Sequence, residues 1–371
     1  MAALGAAIAR QRLTTRGRSM KLQHESGNLR GMDYDLATCK ALCPVCGGEQ
    51  GKRLWSVDSD AAARHFLVPG ALPEAFTALV EHIEQLWRSR NCDIVQCDGC
   101  SFVYSYPYVA GDKHFYDLAY QRTGYPAWKW EFQIALERIV SASSPNFRVL
   151  EIGAGNGAFV RRLTESGAVR PQNIVTTEYS DYGRSRIESL GIKCIPRDVR
   201  ELQEGSFDAI CMFQVLEHLD GLDGLFEKLT ATLNRGGSLF LAVPNDRRIE
   251  FNETNGALLD MPPNHIGRWN HEAFSRIAER SGLRLHDHSV EPFSAPAFVA
   301  QFAHYRFLRR SQIDGTLESR LQVLASVSNS KFVRNAFRGT GTLIGLLAGI
   351  PAVLRINGQI GESQFAHLVK P

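Results

Sequence analysis

The segment FRVLEIGAGNGAFVRRL, residues 147–163, constrains this chain more than any other stretch. Val149, Leu150 and Ile152 make a short apolar run of the kind a buried strand needs. A glycine-rich turn follows, then a helical pattern from about Asn156 to Ser166. Gly153, Gly155 and Gly157 let the backbone approach a ligand closely and point amides toward it. Alone, the turn is ambiguous. Read as G-x-G-x-x-A with Ala158, it is also a dinucleotide fingerprint, and a glycine turn need hold no ligand at all.

The downstream sequence narrows the choice. A second strand, NIVTTEYS, carries Glu178 at its C-terminal end. Open α/β sheets bind ligands beyond the carboxyl ends of their strands, so a carboxylate there can hold ribose hydroxyls. A third strand, KCIPRDV, ends at Asp198, which can accept a hydrogen bond from an adenine amino group; capping the next turn is its structural alternative. A fourth, FDAICMFQVLEHL, leads into a helix through GLFEKLTATL, and NRGGSLFLAVPN supplies a turn and a fifth strand. LRLHDHSVE is a sixth. Strands alternating with helices over residues 147–291 predict a parallel sheet with right-handed crossovers.

The series EIGAGNG, TTEYS, RDV, FDAICMFQVLEHL and NRGGSLFLAVPN resembles the class I S-adenosylmethionine-dependent methyltransferases. The closing ESQFAHLVKP is similar to that family's last strand, which runs antiparallel. The resemblance implies a Rossmann-like, seven-stranded, mostly parallel sheet. It also implies roles. Glu151 would hold the methionine end through the glycine loop, and Gly153, Gly155 and Gly157 would line the cofactor. Glu178 would grip the ribose and Asp198 the adenine, with Val199 on the adenine face. Phe213 and Gln214 would border the methionyl group. Glu217 and His218, in the VLEHL signature, read as structural or cofactor-adjacent rather than catalytic. Thr177-Glu178 stands where many members have Gly-Asp, which keeps the carboxylate one methylene longer. An NAD-dependent enzyme is a weaker reading, opposed by Asp198 and VLEHL.

Methyl transfer asks for in-line alignment and exclusion of water, and a neutral acceptor also needs a base. The segment after the fifth strand, DRRIEFNETNGALLDMPPNHIGRWNHEAF, is where such folds build acceptor contacts. MPPNHIGRW resembles the PPHH loops of some members, with Asn264 in place of the first histidine. His265 is the candidate base, since an imidazole titrates near neutral pH. Arg268 and Trp269 are expected to close over substrate, and Asn270 to cap the next helix.

Ahead of this region stand two C-x-x-C pairs, CPVCG from Cys43 and CDGCS from Cys97. Cys43, Cys46, Cys97 and Cys100 predict a closed four-thiolate shell suited to a structural zinc ion. Cys39 and Cys92 are substitute ligands, and unmetallated core or redox cysteines are the alternative. The usual gap between such pairs is roughly 15–20 residues, so this zinc-ribbon-like module contains an insertion. Residues 72–90 supply it as a helix opened by Pro73, with Leu72, Phe76, Leu79, Val80, Ile83, Leu86 and Trp87 on one face that could pack against the knuckles. A zinc-ribbon-like N-terminus joined to this domain is similar to bacterial methyltransferases acting on sugars and other small molecules.

The expected organisation is a flexible basic segment at 1–34, the cysteine module at 35–110, the methyltransferase domain at 111–295, a helical insertion or lid at 296–358 and the last strand at 359–371. The first segment reads as a disordered tail, with a transit peptide as the alternative, and Met20 or Met32 as other starts. No export signal precedes the cysteines, which predicts reduced thiols and a cytoplasmic location. The uncharged run Gly339–Leu354 is shorter than the ~20 residues of a spanning helix. A lid or buried hairpin is expected there; peripheral membrane contact through residues 303–354, or homo-oligomer packing, are the alternatives. A net charge of +3 argues against a nucleic-acid partner and leaves a small-molecule acceptor, such as a sugar or glycan precursor, as the leading reading. Two others are kept: an RNA methyltransferase, tested by the aromatic run Phe102, Tyr104, Tyr106 and Tyr108, and a non-catalytic binding protein retaining the fold.

Overall fold

The computed structural model describes residues 42–67, 69–119, 128–203, 205–254, 257–295, 298–299 and 359–371, all within one compact unit. The expectations for residues 1–34, for Cys39, and for nearly all of 296–358, including the Gly339–Leu354 run, lie outside the described residues.

The described chain begins at the first cysteine pair and enters β1 (Gly51–Asp58). A short α1 (Ser59–Ala63) and then α2 (Pro73–Trp87) lead to β2 (Asn91–Cys97), β3 (Val103–Tyr106) and α3 (Lys113–Ala119). β1 and β2 pair antiparallel from Gly51↔Cys97 to Asp58↔Asn91. This pairing explains how distant cysteine pairs meet: the insertion leaves along β1 and returns along β2. Helix α2 starts at Pro73, whose missing N–H costs nothing in the first turn. It buries Phe76, Leu79, Ile83 and Trp87, while Leu72 is exposed as the N-cap. Its apolar face packs with Val57, Leu67, Cys92 and Phe115 at the end of the ladder away from the cysteines, not against the knuckles.

The second sheet follows α4 (Trp130–Ala142). Its elements are β4 (Val149–Ile152), α5 (Ala158–Glu165), β5 (Ile174–Thr177), α6 (Asp181–Glu188), β6 (Lys193–Ile195), β7 (Phe207–Phe213), α7 (Leu222–Thr232) and β8 (Leu233–Pro244). Then come α8 (Asp246–Thr254), β9 (Gly267–Arg268), α9 (His271–Arg280), β10 (Arg284–Val290) and β11 (Ser363–Val369). The strand order is β10-β11-β8-β7-β4-β5-β6, with β11 antiparallel to both neighbours and β4 to β8 parallel. This is the Rossmann-like seven-stranded mixed sheet expected. β4 and β5 are buried at every position, as strands covered on both faces must be. Helices α4, α5, α7 and α9 each bury one apolar stripe against the sheet.

Two boundaries differ from the sequence expectation for local reasons. The helix after the glycine turn starts at Ala158 rather than Asn156, because Gly157 is left-handed (φ 74°) and the Asn156 side chain accepts the Ala158 amide. The third strand stops at Ile195, and Asp198 lies beyond it as the cap of a short turn over Val199–Glu201.

The two sheets are not independent. β9, from the segment after β8, pairs antiparallel with β3 and becomes an edge strand of the first sheet, order β1-β2-β3-β9. Cys43, Cys97, Cys100, Phe102 and Tyr104 share one apolar core with the β8 side of the main sheet, α7 and α9.

Candidate active site

The strand order reverses between β4 and β7, so the crevice beyond their carboxyl ends is the topological switch point. The glycine loop leaves β4 there and the VLEHL segment leaves β7. They touch: a Cβ on Gly153 (φ 68°) would lie 2.6 Å from Val215 Cγ2, so only glycine fits. Glu178, at the end of β5, accepts the Gly155 amide at 2.8 Å and the Ser180 amide at 2.9 Å. The start of α6 closes on this pair; a Cβ at Gly183 would meet the Gly155 carbonyl at 2.2 Å. Gly153, Gly155, Gly157 and Glu178 are thus brought together.

Glu151 is buried beneath the loop, where the Val160 amide at the start of α5 holds it. One of its oxygens has no hydrogen-bond partner. Burial, reinforced by the Glu178 charge, pushes its carboxyl well above the usual range.

The remaining residues expected on the cofactor side are placed differently from one another. Asp198 spends one oxygen on the Arg200 amide at 2.8 Å, the capping alternative foreseen from sequence. Val199 is in the main core. Phe213 is buried between Phe132 and Phe159, with ring centroids 4.9 Å from each. Gln214 has φ 58°, a left-handed conformation rare outside glycine, at the end of the strand beside the crevice. Its side chain donates to Glu131 and to Ser363 Oγ, tying β7 to α4 and β11.

Past Gln214, the chain builds a second cluster. The Ile266 amide donates to the Glu217 carbonyl at 2.9 Å, docking the loop after α8 against the end of β7. That contact brings His265 beside His218, ring centroids 4.6 Å apart. Glu217 is 1% exposed, and neither carboxylate oxygen has a hydrogen-bond partner. His218 Nδ1 lies 2.7 Å from the Asn264 carbonyl and 3.0 Å from the Tyr116 hydroxyl. His265 Nδ1 lies 2.7 Å from Asp260 Oδ1, with both side chains buried.

The electrostatics follow from this packing. Burial raises the Glu217 carboxyl to about 7, against the pull of His265. Burial, with His265 beside it, lowers His218 to about 3. Burial also works against a charged His265, but the Asp260 hydrogen bond and charge outweigh it and raise its pKa. Asp260 is correspondingly lowered: burial opposes the charge, and His265 and Arg268 overcome it.

Sequence reasoning missed Asp260 and Tyr116, and set Glu217 and His218 apart from the acceptor side. The available signal was Asp-x-x-x-x-His, residues 260–265, but that spacing marks no regular element. Two other expectations fail. Trp269 is fully buried among Phe102, Phe226 and Phe274, and Arg268 is 4% exposed, bonded to Glu253 and to the Asp260 carbonyl. Both join the two sheets and cannot close over a substrate. Of the aromatic run, Phe102 and Tyr104 are fully buried and only Tyr106 is exposed. It offers no row of faces for stacking bases.

The four cysteines of the two pairs converge. Their sulfurs lie within 4.8 Å of one another, with Cys43–Cys100 at 3.7 Å and Cys46–Cys97 at 3.4 Å. The Gly48 and Gly99 amides point at Cys46 and Cys97 sulfur. Cys92 is at the far end of the β1–β2 ladder, and burial pushes its thiol up to about 12. Cys194 and Cys211 are in β6 and β7.

A family described as methyltransferase domain matches residues 127–288, the segment that carries the glycine loop, Glu178 and the Glu217–His265 cluster. No curated protein matches the chain by sequence. Among solved structures, it is similar to a SAM dependent methyltransferase from Archaeoglobus fulgidus, at 18% identity and TM-score 0.39, covering 64% of this chain and 92% of that one. Another is phosphoethanolamine N-methyltransferase 2 from Haemonchus contortus, in complex with S-adenosyl-L-methionine, at 16% identity and TM-score 0.37, covering 65% and 53%. A third is magnesium protoporphyrin IX methyltransferase from Synechocystis, with bound SAM, at 14% identity and TM-score 0.34, covering 44% and 72%.

Proposed function

We propose that this protein transfers a methyl group from S-adenosylmethionine to a small-molecule acceptor, a sugar or glycan precursor being the class that best suits its modest charge. The observation carrying this reading is the contact between Gly155 and Glu178 at the switch point. It sets a carboxylate able to hold ribose hydroxyls against a loop only glycine can form. Each Glu178 oxygen accepts one amide and keeps a lone pair for a hydroxyl. Gly153 and Gly157 shape the loop, Glu151 fixes it from below, and Asp198, with one oxygen free, faces the adenine. Val199, Phe213 and Gln214 border the cofactor through backbone and packing.

S-adenosylmethionine supplies an activated methyl on a sulfonium. The chain's own task is to hold the acceptor in line, exclude water and take up a proton. His265 is the base in this reading. Its Nδ1–H donates to Asp260, which leaves Nε2 as the lone pair. Two of the four rings in the aromatic run, Phe102 and Tyr104, are fully buried, which favours a small-molecule acceptor over RNA in this reading.

Cys43, Cys46, Cys97 and Cys100 would hold a structural zinc. Zn–S bonds of about 2.3 Å in a tetrahedron place sulfurs roughly 3.7 Å apart, close to the observed spacing. The amides at Gly48 and Gly99 stabilise thiolates. Such an ion closes its own shell and does no chemistry.

Calorimetry tests the reading directly. S-adenosylmethionine, or its demethylated product, should bind one-to-one. Binding of NAD with indifference to S-adenosylmethionine would overturn it.

A further inference from the structure

We propose that Glu217, His218 and His265 form a binding site for one divalent first-row transition-metal cation, distinct from the four-cysteine site. One ligand atom from each lies within 4.8 Å of the other two, among groups drawn from two segments far apart in sequence. The inference goes beyond the proposed methyl transfer and does not depend on it.

Three features point to a cation. First, both imidazoles are presented with Nε2 free. His218 Nδ1 faces the Asn264 carbonyl, which can only accept, so that nitrogen carries the proton. His265 Nδ1 faces the Asp260 carboxylate in the same way. Metal-ligating histidines are held in this manner, one ring N–H spent on a carbonyl or carboxylate so that the other nitrogen offers its lone pair. Second, the Glu217 carboxylate is buried with both oxygens unpartnered; its closest ring nitrogen, His218 Nε2, is 3.9 Å away. An unpaired buried carboxylate is costly, and a cation between it and two imidazoles removes that cost. Third, two imidazoles and one carboxylate are a donor set for divalent first-row metals that leaves further coordination positions open. The His218 side chain, 23% exposed, gives the ion a route in.

Ligand bonds near 2.1 Å require the donor atoms to lie about 3 to 4 Å apart. His218 Nε2 and Glu217 Oε1 already meet this at 3.9 Å, and the 4.8 Å limit on the three donors leaves side-chain movements of about 1 Å to complete the shell. Ligation uses the same His265 lone pair that proton removal would use. A metal-loaded site is therefore the alternative to the base role above, and the two are separable by experiment.

The test uses full-length protein with zinc already in the cysteine site, titrated with Co2+. We expect one Co2+ per chain, with weak ligand-field absorption and without the intense thiolate-to-cobalt band that a cysteine site gives. Glu217→Gln should weaken Co2+ binding by at least about tenfold, and Asp260→Asn, acting through His265, by about 10- to 100-fold. Should either variant fail to fold, pulsed electron paramagnetic resonance of Cu2+-loaded wild type decides, since the remote nitrogens of two imidazoles should modulate the signal. No Co2+ uptake, uptake only with the thiolate band, unchanged binding in folded Glu217→Gln, or Cu2+ without two imidazoles would each overturn the proposal. S-adenosylmethionine affinity measured on the same samples reads the methyl-transfer proposal separately.

Discussion

His265 Nδ1 and Asp260 Oδ1 are 2.7 Å apart, and both side chains are almost wholly removed from water. The pair fixes the imidazole's tautomer and orientation at the end of the loop that docks on Glu217. His265→Ala should slow acceptor methylation by about 10²- to 10⁴-fold, the usual worth of a positioned proton acceptor, while calorimetric affinity for S-adenosylmethionine stays near wild type. Normal turnover in folded His265→Ala would place the base elsewhere.

Glu178, just past β5, accepts the Gly155 amide of the glycine loop and the Ser180 amide ahead of α6. Glu178→Ala removes both hydrogen bonds and the proposed ribose contact. S-adenosylmethionine affinity should fall by about tenfold or more, the worth of one or more lost charged hydrogen bonds. A titration with unchanged affinity would remove Glu178 from the cofactor site.

The cysteine cluster shares its core with Trp269 and α9. Purified protein should contain about one zinc per chain, and folded Cys100→Ser should lose it. Chelation should lower the melting temperature markedly, because metal binding free energy is folding free energy. Freshly prepared, reduced protein with no zinc by elemental analysis would end that assignment.

Trp269 is fully buried where the two sheets meet. Trp269→Ala should destabilise the fold by about 3–5 kcal/mol, as large-to-small changes at aromatic core positions do. Denaturant unfolding measures this. A variant of wild-type stability with an altered Michaelis constant would instead restore Trp269 to the acceptor site.

His367 offers a pH prediction away from both candidate metal sites. Arg138 Nη1 donates to its Nδ1 at 2.8 Å, and its Nε2 lies 2.9 Å from Ser238 Oγ. Burial, and then Arg138, lower its pKa from 6.5 to about 4. Between those values the unfolded chain binds more proton than the folded one, so stability rises with pH. The contribution is fully present above about 6.5 and is lost as pH falls toward 4, a change of at most about 2–3 kcal/mol. Urea unfolding across that range should follow this slope, and His367→Gln should flatten it.

The sequence by itself determined what local pattern controls. Continuous apolar runs set β4 and β5, the glycines set the turn that ends β4, Asn270 caps α9, and Pro73 starts α2. Each depends on neighbours within a few residues, where backbone sterics and hydrogen bonding act directly. Only the tertiary structure decided which distant groups meet. It returned the loop after α8 to the first sheet as β9, which buried Arg268 and Trp269 instead of exposing them to a substrate. It carried α2 to the far end of the β1–β2 ladder, away from the cysteines its apolar face could have packed against. It set Tyr116 and Asn264 against His218, and His218 against His265. No periodicity encodes such encounters, because they depend on where each chain segment returns after its crossover, and that is fixed by packing of the whole core.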